Sequence, residues 1–442
     1  MLGAVIVRDD ERAVCEDIDR RAGELLELLE ALIALDTTAR ARASHPARQE
    51  RLLQELLAAR LSAAGAEVDL WEPSPGDAGG TPMVPEPIGF EGRPQLAARL
   101  AGQGDGRHLI LNGHIDVVDV EPRGRWTTPP HRATLRDGRV YGRGACDMKG
   151  GIAAMVVAAE AVARLGVLGG DLTVCTVTDE ESTGAGGLAA VSHGVRGDGM
   201  IVTEPTGLAV WRACRGTLIP TVTVEGRPGH AGVPQPDWRD GGAVNAIEKM
   251  LPLLEAVRRF EAGWRAGPEH RHPVLSEGEC VLCELHGGDW PVTYPARCSA
   301  TWHVAYLPAH GEADGWAGGV RRQIEAAIAE AASRDPWLVA HPPSVAWGSE
   351  VPAAEVAEQH PLVQTLAGAI ADAGRRPVVA GLDNWHDGAT FTRLGDTPAV
   401  CFGPGDIGVA HAVDEHVPVA EMVDCAKLLA VAALRFCHGS PG

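Results

Sequence analysis

The sequence HLILNGHIDVV, residues 108–118, joins a run of apolar residues to a histidine and an aspartate. Its first part, HLILNG, has the length and composition of a buried strand. The segments 171–177 (DLTVCTV) and 199–203 (GMIVT) repeat this pattern, and helix-length segments such as 149–165 separate the strands. Strands that alternate with helices predict an α/β fold with a mostly parallel sheet.

Working outward from this core, leucines and isoleucines at helical spacing predict helices over 16–34 and 47–64. Farther on, the order strand, helix, two strands, helix, strand predicts a small β-α-β-β-α-β domain inserted into the first. We therefore predict a first domain that covers residues 1–215 and resumes over 351–442. The inserted domain covers residues 216–350.

The charge of the chain narrows the classes of partner. The 442 residues include 39 basic and 59 acidic side chains, for a formal net charge of −20. Such a charge repels phosphate backbones and anionic lipid, so neither nucleic acid nor a membrane surface is expected as a partner. No window approaches the roughly 18 apolar residues of a membrane-spanning helix. The start, MLGAVIVRDDER, lacks a basic leader, which predicts a cytoplasmic protein with reduced cysteines.

Five short polar clusters follow predicted strands or begin predicted helices. Each has an ordinary structural explanation by itself: a polar strand end, a glycine-rich helix start capped by an aspartate, or an acidic loop. Their residues are His114 and Asp116 in GHIDVV, Asp147 in GRGACDMKGG, Glu180 and Glu181 in TDEESTGAGG, Glu204 in VTEPT, and His411 in GPGDIGVAHAVDE.

Taken together, the clusters indicate a metal site. They lie where α/β sheets build ligand sites, and they combine two histidines with several carboxylates, a mixture that suits Zn²⁺ and related divalent metals. A histidine ligand needs a partner that orients its ring, and Asp116 is the candidate for His114. Because Glu180 and Glu181 are adjacent, their side chains diverge. One can therefore bind metal while the other faces a substrate as a general base.

The order HID, GRGACDMKGG, TDEES-G, TEPT, GRPGHAG and GPG…AH closely resembles the di-zinc deacylase and peptidase family. Acetylornithine deacetylase, succinyl-diaminopimelate desuccinylase, aminoacylase and glutamate carboxypeptidase belong to this family, and the resemblance covers about residues 16–437. It implies two metals, with Zn expected and Co or Mn as alternatives. It also implies a role for each site residue: His114 and Glu204 bind one metal, Glu181 and His411 bind the other, and Asp147 bridges the two. The bond from Asp147 to Met148 is expected to be cis. Asp116 orients His114, and Glu180 is the general base.

The resemblance also gives the inserted domain a function. In the family, this domain is a lid that forms the interface of a homodimer. His230, in GRPGHAG, matches the histidine that reaches into the partner subunit's site and stabilises the oxyanion. Considered alone, a histidine in a glycine-rich turn is more often structural. Residues 241–247 match the lid helix that follows.

The sequence departs from the family where substrates are gripped. Val292 stands where an asparagine is usual, and Ala305 stands where an arginine is expected, so the usual carboxylate clamp is missing. His303, Arg215 or Arg297 can replace it, although these side chains can equally be ordinary surface residues. With this missing arginine and the motif DPWL…PP…WG (residues 335–348), the sequence resembles the branch that contains formylaminopyrimidine deformylase. Trp385, in LDNWHDGATF, is a candidate pocket residue, and an ordinary loop is the alternative.

We therefore expect a metal-dependent hydrolase that cleaves a linear amide, N-acyl or N-formyl, of a small molecule. The alternative within enzymes is a dipeptidase or carboxypeptidase, which the absent arginine at position 305 disfavours. A non-catalytic binding protein on the same scaffold is a third hypothesis. The complete set of ligands and base argues against it.

Overall fold

The computed structural model describes residues 8–39 and 49–440, and these form two compact units. The first unit contains the described residues up to Ala213, then Glu355–Gly381, and then the chain from His386 onward. The second unit contains Cys214–Ala354 and residues 382–385. Residues 1–7 of the predicted leader-free start and residues 47–48 of the second predicted helix lie outside the described residues.

The helices of both units are numbered here in chain order. They are α1 (Asp9–Arg20), α2 (Ala22–Ala34), α3 (Glu50–Ala63), α4 (Gly150–Leu165), α5 (Ala185–His193), α6 (Ala246–Ala266), α7 (Gly318–Ala332), α8 (Pro336–Ala340), α9 (Pro361–Asp372), α10 (Asp387–Leu394) and α11 (Val419–Cys437).

The strands are numbered in the same way. They are β1 (Glu67–Trp71), β2 (Gln95–Leu100), β3 (Leu109–His114), β4 (Thr134–Arg136), β5 (Arg139–Tyr141), β6 (Leu172–Val177), β7 (Gly199–Val202), β8 (Val210–Cys214), β9 (Gly216–Glu225), β10 (Glu279–Gly287), β11 (Arg297–Tyr306), β12 (Ser344–Val351), β13 (Ala354–Glu355), β14 (Val379–Leu382), β15 (Ala399–Cys401) and β16 (His416–Pro418).

The main sheet of the first unit has a parallel centre and antiparallel edges. Its strand order is β1-β2-β6-β3-β7-β15-β8-β13, and β14 pairs with β8. The neighbours β6, β3, β7 and β15 all run in the same direction. In contrast, β1 and β2 pair antiparallel with each other, as do β2 and β6 at one edge and β15 and β8 at the other. The carboxyl ends of four neighbouring strands therefore lie along one edge of the sheet.

Helices cover this sheet because its central strands are apolar on both faces. Every residue of β3, β6 and β7 is buried, as expected for parallel strands inside an α/β layer. Helix α4 is buried over nearly its whole length, from Gly150 to Val162, and it packs against α11, α1 and α2. Its glycines and the small side chains of its alanines allow this close packing on several sides.

The first predicted helix is two helices. The segment expected to run over 16–34 begins earlier, at Asp9, where three acidic residues favour a helix start. It is interrupted at Arg21, whose backbone leaves the helical region. The Arg21 guanidinium bonds to Glu24 and to the buried Glu160 of α4, which fixes the break against the core.

The second unit is an antiparallel sheet with helices packed on it. Its strand order is β10-β11-β9-β12, and every neighbouring pair is antiparallel. Residues along β9 alternate between buried and partly buried, the pattern of a sheet with one face on a core. Leu218, Met250 and Ile324 belong to that core, which joins the sheet to α6 and α7.

Among the described residues, no helix combines the length and the apolar composition that a membrane crossing requires.

Gly151 tests how tightly α4 packs. A Cβ at this position would lie 2.1 Å from the Thr203 carbonyl oxygen, so Gly151→Ala must displace backbone. We expect it to lower the free energy of unfolding by about 1–3 kcal/mol, the usual effect of overpacking. Gly23 in α2 is the matched control, since a Cβ there has no atom within 4 Å.

Urea denaturation of the metal-free variants measures both changes. Gly23→Ala should be neutral or stabilise by up to about 1 kcal/mol, because alanine is the better helix former. Equal stability of the two variants would show that α4 does not pack closely against the Thr203 backbone at Gly151.

Candidate metal centre

Four of the predicted site residues lie at the carboxyl ends of the parallel strands. His114 is the last residue of β3, and Glu204 follows β7 by two residues. Glu181 follows β6, and His411 lies in the loop after β15. Since these strands are neighbours and parallel, the fold gathers residues that are far apart in the sequence.

Asp147 lies in the middle of this group. It occupies an irregular turn, Ala145–Lys149, directly before α4, and its bond to Met148 is cis. Its Oδ1 is 3.0 Å from His114 Nε2, and its Oδ2 is 3.4 Å from His411 Nε2. The two oxygens of one carboxylate therefore face two different histidines.

Each histidine has a second carboxylate neighbour. His114 Nε2 lies 3.9 Å from a Glu204 oxygen, and His411 Nε2 lies 3.0 Å from Glu181 Oε2. One ligand atom from each of His114, Asp147 and Glu181 lies within 4.8 Å of the others. This spacing and donor set fit a divalent metal, because imidazole nitrogens and carboxylate oxygens are ligands that Zn²⁺ accepts.

A hydrogen bond at Nδ1 orients the ring of His114. Its Nδ1 lies 2.9 Å from the Asp116 carbonyl oxygen, which can only accept, so Nδ1 donates. In the neutral ring, the lone pair is then on Nε2, which faces Asp147 and Glu204. Asp116 orients His114 through its backbone carbonyl, since its own carboxylate oxygen is farther from Nδ1, at 3.7 Å.

The Asp116 carboxylate instead holds the loop of the predicted base. Its two oxygens accept hydrogen bonds from the backbone N–H groups of Glu180 and Glu181, both at 3.2 Å. The preceding residue, Asp179, has a positive φ of 67°, an unusual conformation for a non-glycine residue. Arg93 bonds to the Asp179 carboxylate and helps to fix this turn. No sequence motif marks Arg93, which lies in a loop rich in proline and glycine.

The electrostatics of the cluster favour added positive charge. Burial raises the pKa of Glu180 and of Glu204 well above the usual value, and neighbouring carboxylates add to the rise. Burial would also raise the pKa of Asp147, but hydrogen bonds from His114 and His411 lower it below its usual value. The hydrogen bonds of His411 to Asp147 and Glu181 raise the pKa of His411 to about 10. The crowded, buried carboxylates thus favour the binding of positive charge, which a divalent cation can supply.

The remaining candidates belong to the second unit. His230 is exposed, and its Nδ1 accepts a hydrogen bond of 3.0 Å from the Gly232 N–H. His303 lies on β11, with Nε2 3.5 Å from the Thr217 hydroxyl. The Trp385 ring is partly buried, and its Nε1 has no hydrogen-bond partner among the described residues.

Arg215 is already engaged within the second unit. Its guanidinium donates to the carbonyls of Asp383 and Glu277, at 2.9 and 3.0 Å, and to the Glu279 carboxylate at 3.1 Å. It would have to give up these bonds to grip a substrate. The two departures from the family pattern differ in exposure: Ala305 is buried in β11, whereas Val292 is 49% exposed.

Two further buried charged residues near the site were not predicted from the sequence. Arg143 and Glu415 form an ion pair of 2.7 Å, with side-chain exposures of 2% and 1%. Both lie inside motifs already singled out, GRGACDMKGG and AHAVDE. A signal was therefore present, since a charged residue beside a metal-ligand motif often supports the ligands.

The segment after Trp385 begins α10. His386 is the N-cap, and its Nδ1 accepts a hydrogen bond of 3.1 Å from the Gly388 N–H. Burial lowers the pKa of His386 to about 4. The next residue, Asp387, is also buried, and burial raises its pKa to about 8. Neither residue was predicted to have a role.

Comparison with protein families and curated proteins gives consistent results. Residues 110–435 match the model of peptidase family M20/M25/M40. The N-formyl-4-amino-5-aminomethyl-2-methylpyrimidine deformylase of Halalkalibacterium halodurans is 29% identical over 440 residues, which is 95% of this chain and 96% of the relative. The acetylornithine deacetylase of Erwinia tasmaniensis is 31% identical over 348 residues, 76% of this chain and 82% of the relative.

Solved structures show the same fold. A tripeptidase from Staphylococcus aureus superimposes with a TM-score of 0.69 at 15% identity, covering 94% of this chain and 98% of its own. Human carnosine dipeptidase 1 superimposes with a TM-score of 0.64 at 16% identity, covering 97% of this chain and 99% of its own. The predicted α/β class with a mostly parallel central sheet is thus confirmed.

The buried cap at His386 predicts a pH dependence of stability. Its folded-state pKa of about 4 lies below the ordinary value of 6.5, so its contribution to stability is complete above pH 6.5. That contribution declines as the pH falls toward 4, because the folded state resists the proton that the unfolded state binds. The decline is at most about 3 kcal/mol, since one pKa unit corresponds to about 1.4 kcal/mol.

His386→Asn keeps a capping oxygen and removes the titration. Urea denaturation of the metal-free proteins at pH 7.0, 5.5 and 4.5 should show the wild type losing stability relative to this variant as the pH falls. Parallel curves at all three pH values would contradict the assignment.

Proposed function

The chain belongs to peptidase family M20/M25/M40, and from this premise we propose that it is a metal-dependent hydrolase of linear amides. Its substrate is a small molecule with an N-acyl or N-formyl group, and its products are an amine and a carboxylic acid. The observation that carries the proposal is the convergence of His114, Asp147 and Glu181 ligand atoms within 4.8 Å, with Glu180 beside them.

We propose two divalent ions at this site, with zinc as the expected metal and cobalt or manganese as alternatives. His114 and Glu204 would hold one ion, Glu181 and His411 would hold the other, and Asp147 would contribute an oxygen to each. One Asp147 oxygen faces His114 and the other faces His411, which supports this division of the ligands. When bound, the ions supply Lewis acidity for the amide carbonyl and for the attacking water.

Glu180 is the proposed general base. Its carboxylate takes a proton from the attacking water, whose oxygen forms a bond to the carbonyl carbon. The C–N bond then breaks, and Glu180 passes the proton to the leaving nitrogen. The pKa of Glu180 is raised by burial, and the charge of bound cations opposes that rise. Its backbone, held by the Asp116 carboxylate, keeps the side chain oriented.

His230 is the proposed oxyanion donor, acting in the site of a partner subunit within a homodimer. Since its Nδ1 accepts from the Gly232 N–H, the neutral ring carries its proton on Nε2. That N–H is on an exposed side chain and is available to a partner. The homodimer, its formation through the second unit and the cytoplasmic location all rest on the sequence and the family resemblance.

The substrate is proposed to lack a carboxylate on its amine side. Ala305 offers no charge, and Arg215 is held by three hydrogen bonds in its own unit. A relative that matches 95% of the chain is named as a deformylase of an N-formyl aminopyrimidine. We therefore propose an N-formyl group on an amine carried by a neutral or cationic ring. A peptidase, which must bind a terminal carboxylate or a second amide, is the alternative.

A release assay tests this function directly. The zinc-loaded protein is given N-formyl, N-acetyl and N-succinyl amines, each with and without a carboxylate on the amine side, and a set of dipeptides. We expect the fastest hydrolysis for N-formyl amines that lack a carboxylate. Faster cleavage of dipeptides would replace the proposal with the peptidase alternative, and no cleavage of any compound would favour a binding protein.

Glu180→Ala is the control that connects this activity to the site. It should keep its bound metal but lose turnover by about 10²–10⁴-fold, the usual contribution of a general base. The adjacent Glu181→Ala should instead lose metal, as measured by elemental analysis of the dialysed protein. Loss of metal from Glu180→Ala would assign Glu180 to the ligands.

The role of His230 predicts complementation between inactive subunits. Glu180→Ala and His230→Ala are each expected to be inactive as homodimers. In a mixed dimer, one of the two sites receives both a native Glu180 and a native His230, so activity should return to about half of the wild-type value. Verified mixed dimers that stay inactive would rule out action across the interface.

A further inference from the structure

The Glu415 carboxylate accepts four hydrogen bonds from a single segment of chain. Its Oε1 accepts from the N–H groups of Cys146 and Asp147, at 2.8 and 2.9 Å. Its Oε2 accepts from the Gly144 N–H at 3.1 Å and from Arg143 Nη1 at 2.7 Å. These bonds use the acceptor capacity of both oxygens, so Glu415 supports the turn that carries Asp147.

Arg143 extends this support to two further loops. Its Nη1 also donates to the Ala412 carbonyl at 3.3 Å, next to His411 in the chain. Its Nη2 donates to the Asp119 carbonyl at 2.9 Å, in the loop that follows His114. The Arg143–Glu415 pair therefore joins the loops of three proposed ligands, and Glu415 itself belongs to the loop of His411.

The local backbone needs such support. Gly144 has a φ of 79° and His411 a φ of 59°, so neither loop has regular backbone hydrogen bonding here. The N–H groups of Gly144, Cys146 and Asp147 are buried, and buried donors without an acceptor are strongly unfavourable. His411 is 54% exposed in its side chain, so packing alone does not hold its ring.

We propose that Glu415 is a positioning residue, which acts with Arg143 to set the placement of Asp147 relative to His411. Through that placement it controls the affinity for metal and the rate of the reaction. The inference rests on the proposed function, because it assumes that Asp147 and His411 bind metal. The pair is neutral overall and makes its contacts to backbone, so it acts on geometry and leaves the charge of the site unchanged.

Glu415→Gln tests this role with little change in shape. A glutamine has one accepting oxygen, and its NH₂ group must face other donors, so at least one N–H of the Asp147 turn or the Arg143 guanidinium loses its partner. We expect zinc affinity to fall 10- to 100-fold, the range typical of residues that support ligands. We also expect a changed visible absorption spectrum with Co²⁺ and a decrease in kcat that exceeds any change in KM.

Two further variants separate positioning from simple instability. Glu350→Gln is the matched control: Glu350 is a buried glutamate of the second unit that also accepts from one backbone N–H, that of Ala317, and one arginine, Arg321. It should bind zinc as the wild type does. Arg143→Lys keeps the charge but cannot make all three bonds of Arg143, so it should show a smaller loss of zinc affinity and serves if Glu415→Gln does not fold.

Zinc affinity is measured by competition with a chromophoric chelator on protein whose folding is verified by circular dichroism. A loss confined to the Glu415 and Arg143 variants, with an altered Co²⁺ spectrum, supports the inference. Wild-type affinity and spectrum in both variants, or an equal loss in Glu350→Gln, overturn it while the proposed function stands. A wild-type protein that binds no zinc overturns both.

Discussion

The parallel pairing of β6, β3, β7 and β15 is the constraint on which the site depends. Because these strands share a direction and a sheet, their carboxyl ends bring His114, Glu181, Glu204 and His411 to one edge, although nearly 300 residues separate the first from the last. Helix α4, packed closely on this sheet, then delivers Asp147 into the centre. The site is therefore a product of topology, and each ligand depends on the register of a buried strand.

Such a gathering of carboxylates is unfavourable without compensation. Burial and mutual repulsion raise the pKa of Glu180, Glu181 and Glu204, while hydrogen bonds from His114 and His411 lower the pKa of Asp147. Two carboxylates outside the cluster hold its backbone: Asp116 accepts from the Glu180 N–H, and Glu415, paired with Arg143, accepts from the Asp147 N–H. The charge of the clustered carboxylates is thus available for cations to balance, which is consistent with the proposed metal site and with a proposed base beside it.

The sequence predicted the central strands and the residues that the structure brings together better than it predicted the contacts that support them. Apolar strands followed by His114, Glu180 and Glu204 are local patterns. Such motifs at strand ends predict a candidate metal site from the sequence alone. The break at Arg21 depends on the distant Glu160, and the bonds of Glu415 and Arg93 join segments far apart in the chain. No local pattern records such contacts. The hydrogen bond from His114 to the Asp116 carbonyl could not be predicted either, because a backbone carbonyl has no sequence signature.

Asp147 is proposed to bridge two metal ions, and anomalous X-ray diffraction tests this proposal most directly. Crystals of the zinc-loaded protein, measured above and below the zinc absorption edge, should show two anomalous peaks. One peak should lie between Asp147, His114 and Glu204, and the other between Asp147, His411 and Glu181. A single peak, or peaks away from Asp147, would contradict the account.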